Sequence, residues 1–150
     1  MPKYDLTKIL PHKPPMILID DILEYNLEDK TLTAIVNIHN KKILFDKIHN
    51  GINAVSGIEF MAQSIGCYAY FKNNCNHPKI GFLLGARLYN CAIEYFENHK
   101  SYIIKIHEIF TDNQIVAFDC IIYDNEEEIA SATVNVYQSN DIKEFIENNG

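Results

Sequence analysis

The chain has 150 residues, of which 47% are hydrophobic and 22% charged, and its formal net charge is −7 at pH 7. This length and balance are typical of one globular domain, here residues 1–150, with a substantial core. The acidic net charge argues against nucleic acid as the main partner, and no uncharged apolar run is long enough to span a membrane.

The N-terminus lacks the apolar stretch of a signal peptide, so we expect a cytoplasmic protein. The four cysteines show neither a Cys-x-x-Cys pairing nor zinc-like His/Cys spacing, which favours reduced thiols and no metal. A glycine-rich phosphate loop is also missing from the sequence, so no cofactor is expected.

The N-terminal third predicts a short helical turn followed by two strands. Tyr4–Leu10 suits the helical turn, and the prolines of Pro11–Pro15 force an extended chain after it. Met16–Tyr25 is predicted as the first strand. Apolar residues then alternate with polar ones from Leu32 to Ile38, which predicts a half-buried second strand.

The middle of the chain predicts a loop and then one long helix. Phe45–Asn53 contains the turn signal Asn50-Gly51 and is predicted to be irregular. Ala54–Phe71 is apolar almost all round, which is typical of a helix buried on every side.

The remainder predicts four strands in a largely antiparallel meander. A loop at Asn73–Pro78 precedes them, and a short terminal helix at 142–148 follows. The strands are predicted at Ile80–Cys91, Ser101–Thr111, Gln114–Tyr123 and Ile129–Tyr137, with a tight turn at 111–113 and an acidic turn at 124–128.

A helix that is apolar on every side needs an element to surround it, and a curled antiparallel sheet provides that cover. The predicted fold is therefore α+β: the hotdog fold, with the sheet wrapped around one central helix. Because a single layer of sheet seldom hides such a helix and its own edges, we expect a dimer. A homodimer is the simplest form and a heterodimer is the alternative.

Glu59 is the least expected residue of the predicted helix, because a buried carboxylate costs several kcal/mol unless it is paired or neutralised. One interpretation is structural: Ser56 and Glu59 fit the Ser-x-x-Glu capping box. The other is an active site, with Gln63 one turn further along the same face.

Three segments resemble the beta-hydroxyacyl-(acyl carrier protein) dehydratases of the hotdog superfamily. They are Ile9–Asp20 with its Leu-Pro-His opening, Glu59–Gln63 with Glu-Phe-Met-Ala-Gln, and Phe82–Tyr89 with Ala-Arg-Leu. Their details are more similar to a divergent dehydratase-like branch known from aryl polyene lipid gene clusters.

The resemblance implies a hydro-lyase that converts 3-hydroxyacyl thioesters on acyl carrier protein to trans-2-enoyl thioesters, in fatty-acid or polyene lipid synthesis. In that family a histidine before the helix removes the C2 proton, and the helix acid protonates the departing hydroxyl. Glu59 matches the acid. Phe45 stands where the histidine is expected, so His49 is our candidate base, with Asp46 as a second candidate if burial raises its pKa.

His12 matches the family's Pro-His and is interpreted as structural. We assign substrate binding, beside an apolar acyl tunnel at a subunit boundary, to Phe45, Ala54, Gly57, Gln63, Phe82 and Arg87. Cations before and after the helix form either a docking patch for an acidic partner or an ordinary solvated face; they are Lys41, Lys42, Lys47, Lys79 and Arg87.

Two alternative functions stay open. Hotdog proteins also hydrolyse acyl thioesters with a helix carboxylate, so thioesterase activity is one. The other is a non-catalytic acyl-binding chain or partner subunit of another dehydratase, which the phenylalanine at position 45 favours.

Overall fold

The computed structural model describes residues 2–73 and 81–138, without the side chains of residues 81–84 and 138. Two helices are present: α1 at Leu6–Ile9 and α2 at Gly57–Lys72, the latter preceded by a 3-10 turn at Ala54–Ser56. Nine strands accompany them: β1 Asp21–Asn26, β2 Thr31–Asn37, β3 Phe45–Asp46, β4 Gly51–Asn53, β5 Gly81–Cys91, β6 Tyr95–Glu97, β7 Ser101–Asp112, β8 Ile115–Asp124 and β9 Glu127–Gln138.

Six strands form one antiparallel sheet in the order β1-β2-β7-β8-β9-β5, and α2 packs against all six. A second sheet of β3, β4 and β6 lies beside the start of α2. This arrangement confirms the predicted α+β hotdog fold. Neither described helix is long and apolar enough to cross a lipid bilayer.

The core lies between the helix and one face of the sheet. Side chains alternate between that face and solvent, as the two-residue period of a strand requires. The inward positions of the four central strands are apolar with one exception; they are Leu32, Ala34, Val36, Tyr102, Ile104, Ile106, Glu108, Val116, Phe118, Cys120, Ile122, Ala130, Ala132, Val134 and Val136.

The exception, Glu108, faces the C-terminal end of the helix. Its side chain is only 5% exposed, and Lys72 Nζ lies 2.6 Å from Glu108 Oε1. Burial raises the pKa of Glu108, but Lys72, Thr111 and Lys30 together outweigh that effect and the pKa is lowered overall. The last turn of α2 is therefore tied to β7 by a charged pair.

The structure differs from the predicted elements at several places. The first strand begins at Asp21 rather than Met16, and the predicted loop 45–53 contains β3 and β4. Strand β6 was not predicted, and β5 pairs with β9 rather than with the next strand along the chain. The predicted helix starts as a 3-10 turn, and the predicted helix at 142–148 lies outside the described residues.

Candidate active site

Glu59 lies in the first turn of α2, but it does not cap the helix. Ser56 makes no side-chain capping hydrogen bond, so the capping-box interpretation is wrong. Glu59 Oε1 instead accepts a hydrogen bond from Gln63 Nε2 at 3.0 Å and lies 3.4 Å from His12 Nε2. The carboxylate thus faces two nitrogen groups, one from its own helix and one from the N-terminal segment.

These contacts set the ionisation of Glu59. The hydrogen bond from His12 holds the pKa of the Glu59 carboxyl below its ordinary value; burial opposes this shift and the Gln63 amide adds to it. The carboxylate is therefore ionised at neutral pH. Because its side chain is 40% exposed, the charged group is also open on one side.

Gln63 is fully buried and connects Glu59 to the chain before β1. Its Oε1 accepts from the N–H groups of Leu18 at 2.9 Å and Ile19 at 3.4 Å, and its Nε2 also donates to the Met16 carbonyl at 2.9 Å. These bonds explain why residues 16–20 do not form the predicted strand: two of their N–H groups point at a helix side chain. Gln63 was predicted to bind substrate, and here it orients the acid.

His12 is the site residue that sequence reasoning missed. We interpreted it as structural, whereas its ring lies against Glu59 and its side chain is 34% exposed. The loop of Pro11–Pro15 brings it back over the start of α2. One signal in the sequence could have indicated this role: His12 lies in one of the three segments that resemble the dehydratase family, as Glu59 does.

The turn before the helix is held by the strand that follows the helix. The Tyr89 hydroxyl donates to the Ala54 carbonyl, and the Ala54 N–H donates to the Glu94 carbonyl at 2.9 Å. Gly57 lies beneath this contact: a Cβ there would collide with the Tyr89 hydroxyl and come within 3.1 Å of Phe96 Cζ. Gly57 therefore lacks room for a side chain, and the Ala54 backbone is held in place just before Glu59.

His49, the predicted base, lies on an exposed turn. Its Nδ1 is 2.8 Å from Asp46 Oδ2, and its ring stacks on Tyr95 with 4.3 Å between the ring centroids. Asp46 does not fulfil the condition on which it was a candidate: its hydrogen bonds, that with the His49 side chain first, outweigh the opposing effect of burial, and its pKa is lowered overall. Among the described residues, the groups that contact the Glu59 carboxylate are His12 and Gln63, so no contact joins His49 to Glu59.

The other predicted substrate-binding residues lie in different settings. Phe45 pairs with Ile52 between β3 and β4 and packs against the core. Arg87 is exposed on β5 opposite Thr133. The side chain of Phe82 lies outside the part that the structure describes.

A cavity of about 440 Å³ opens near the N-terminus, but neither Glu59 nor Gln63 lines it. Its walls include Tyr4, Leu6 and Ile17. This cavity is therefore not the acyl tunnel that was expected beside Glu59. Within the described residues, no group of three His, Cys, Asp or Glu side chains is arranged to hold a metal ion.

The fold is similar to that of several solved structures. The dehydratase heterocomplex ApeI:P from Xenorhabdus doucetiae contains a chain that is 21% identical, with a TM-score of 0.86 over 98% of this chain and 99% of that one. A Streptococcus mutans protein bound to acetyl CoA is 10% identical, with a TM-score of 0.64 over 87% and 95% of the two chains. A hypothetical thioesterase with coenzyme A from Streptococcus pneumoniae is 12% identical, with a TM-score of 0.61 over 79% and 84%.

No curated protein sequence matches the chain. Its curled antiparallel sheet around one central helix defines it as a hotdog protein. The pattern of the ApeP-like family, described as ApeP dehydratase, matches residues 4–147. The chain therefore belongs to the ApeP-like dehydratase family, which confirms the branch indicated by the sequence resemblance.

Proposed function

We propose that this chain supplies the Glu59 carboxylate for removing water from a 3-hydroxyacyl thioester on acyl carrier protein, as one subunit of a dimer with a second hotdog chain. The observation that carries this proposal is the oriented acid at the start of a buried helix. Glu59 is held through one oxygen by His12 and Gln63, and its partial exposure leaves room for substrate.

The reaction needs two proton transfers. A base takes the C2 proton, the electron pair forms the C2–C3 double bond, and the C3 hydroxyl takes a second proton and leaves as water. Since Glu59 is ionised at rest, it must gain a proton before it donates one. That proton can come from solvent, to which the partly exposed carboxylate is open.

The base for the C2 proton is proposed to come from the second subunit. Phe45 stands where related dehydratases carry a histidine, and it packs as an apolar core residue. His49 is already bonded to Asp46 and stacked on Tyr95. Among the described residues, His12 is the histidine that contacts Glu59, and it is engaged with the acid itself. We therefore assign the base to the second subunit.

Strand β5 provides an edge where the second subunit can pair. It is the last strand of the large sheet, and no described strand pairs with its outer side. Leu88 on this strand is 82% exposed with a φ of 56°, a costly setting for a branched apolar residue on an isolated chain. The printed name of the similar ApeI:P structure, a dehydratase heterocomplex, favours a partner that is a different chain.

The proposal is tested by following absorbance of the enoyl thioester formed from a 3-hydroxyacyl-(acyl carrier protein). The chain is assayed alone and with an ApeI-type subunit, as wild type, Glu59→Gln, His49→Asn and a control, Glu28→Gln, in an exposed turn. We expect turnover by the pair, a loss of roughly 100-fold or more in Glu59→Gln, and near-normal rates in the other two variants.

Equal rates for wild type and Glu59→Gln would overturn the role of the carboxylate. Full activity of the chain alone, lost in His49→Asn, would show that the base lies in this chain and not in the partner. Release of free thiol instead of enoyl product, detected with a thiol-reactive dye, would identify a thioesterase.

A further inference from the structure

Lys42 is buried in a way that lysine rarely is. Its side chain is only 8% exposed, and its Nζ lies 2.7 Å from Asp20 Oδ2. The same ammonium donates to the Leu18 carbonyl, and Asp20 Oδ2 also accepts from the Asn37 N–H. A lysine is buried only when its charge is paired and hydrogen-bonded, and here both conditions are met.

The peptide group that Lys42 contacts is the one that Gln63 contacts from the other side. The Leu18 carbonyl and the Ile19 N–H belong to one peptide unit; the carbonyl accepts from Lys42, and the N–H donates to Gln63 Oε1. A cation on the oxygen polarises the unit and strengthens donation from its nitrogen. The peptide is therefore held in place between the two side chains.

This contact decides which way the Gln63 amide points. Its oxygen faces the two N–H groups of Leu18 and Ile19, so its nitrogen must face the Met16 carbonyl and Glu59 Oε1. A flipped amide would place oxygen against oxygen and nitrogen against nitrogen at all four contacts. A buried polar group left without its hydrogen bond is costly, so the observed orientation is strongly preferred while residues 16–19 stay in place.

We propose that Lys42 is a positioning residue of the Glu59 site: it fixes the Leu18–Ile19 peptide, which orients Gln63, which presents an N–H donor to the carboxylate. This positioning role rests on the proposed function, in which Glu59 is the catalytic acid. Lys42 itself touches neither Glu59 nor His12 in the described contacts, so it acts only through the intervening groups. The lysine interpreted from sequence as part of a surface patch is instead part of the site's support.

The experiment compares Lys42→Met and Lys42→Arg with the control Lys41→Met, all in the full chain. Lys41 is the exposed neighbour of Lys42 and lacks its contacts to Leu18 and Asp20. NMR follows the Glu59 carboxyl carbon through a pH titration, with the facing His12 ring as a second probe. We expect the pKa of Glu59 to rise in Lys42→Met, because its amide donor is no longer held. It should stay at the wild-type value in Lys41→Met and be largely restored in Lys42→Arg.

A folded Lys42→Met protein with the wild-type Glu59 titration would overturn the proposal. If circular dichroism shows that this variant is unfolded, Asp20→Asn replaces it: the lysine remains but loses its anchor, and the pKa of Glu59 should again rise. An unchanged titration in Asp20→Asn would then overturn the proposal.

The titration needs no substrate, so it is independent of the proposed function. Lys42→Met could change the Glu59 titration while the wild-type chain never supports dehydration. That result would overturn the proposed function and support the positioning role of Lys42. Where dehydration occurs, Lys42→Met should lower kcat by roughly tenfold with little change in KM, because a misplaced catalytic group slows the chemical step.

Discussion

The His12 ring and the Glu59 carboxylate face one another across 3.4 Å, although they lie 47 positions apart in the chain. The contact joins the proline-rich N-terminal segment to the first turn of the buried helix. It supplies the main physical reason why an acid in this position stays ionised.

The first prediction concerns that contact. Replacing His12 with Phe should raise the pKa of Glu59, because the hydrogen bond from His12 is the largest effect that lowers it. A carboxyl whose pKa is lower in the folded state stabilises the fold above its unfolded pKa and loses that contribution as pH falls through the folded value. The difference in unfolding free energy between wild type and His12→Phe should therefore be full at neutral pH and shrink in acid.

Urea unfolding at a series of pH values measures this difference, and carboxyl NMR measures the pKa directly. His107→Phe, an exposed histidine on β7, is the control and should leave the Glu59 titration unchanged. A Glu59 titration that is the same in His12→Phe and wild type would contradict the prediction.

The second prediction concerns the space at the start of α2. Gly57→Ala should destabilise the fold by about 1–3 kcal/mol, because the added methyl meets the Tyr89 hydroxyl and the Phe96 and Ile122 side chains. Gly85→Ala is the matched control, since a Cβ there meets nothing within 4 Å. Chemical denaturation of both variants should show a loss for Gly57→Ala alone; equal stabilities would refute the crowding argument.

The third prediction concerns the charged pair at the other end of the helix. Lys72→Met should cost about 2 kcal/mol or more of unfolding free energy, because it leaves the buried Glu108 carboxylate with the more distant Lys30, at 4.0 Å, and Thr111. Adding Glu108→Gln to that variant should recover part of the loss, since the unpaired charge is then removed. If the double variant is less stable than Lys72→Met alone, the unpaired charge of Glu108 is not the cause of the loss in stability.

The fourth prediction concerns the open edge of the sheet. Leu88→Asp should weaken assembly with a second hotdog chain by at least tenfold in Kd, because it places a charge on the strand proposed to pair. Stability of the isolated chain should change little, since the side chain is already exposed. Sedimentation equilibrium measures the first quantity and thermal unfolding the second; unchanged assembly would place the interface elsewhere.

The sequence predicted the elements whose pattern is local. The apolar run of Ala54–Phe71 predicted the buried helix, and alternating residues predicted β2. The predicted strands that correspond to β7, β8 and β9 also lie near their observed positions. Strands of two or three residues, such as β3, β4 and β6, carry no measurable period, so they were missed. The pairing of β5 with β9 depends on the path of the whole sheet and has no local signal.

The site was predicted only in part, because Glu59 has a local signal in the sequence and its partners do not. Glu59 stands out because a charge within an apolar helix is costly wherever it lies. The partners of Glu59 and the setting of Lys42 depend on the segment 11–20 returning over the helix, and no pattern within that segment reveals the return. The apolar run from Met16 to Ile19 looked like a strand because its hydrogen-bond acceptor, Gln63, lies 45 positions away from Leu18.

The open edge of β5 also bears on how the protein must be handled. An open strand can pair with another open strand that it meets, so a preparation of this chain at high concentration should accumulate self-associated material. Producing it together with the second hotdog chain of the proposed assembly would saturate that edge as the chain folds. The ratio in which the two chains are made would then decide how much of the protein reaches a usable assembly.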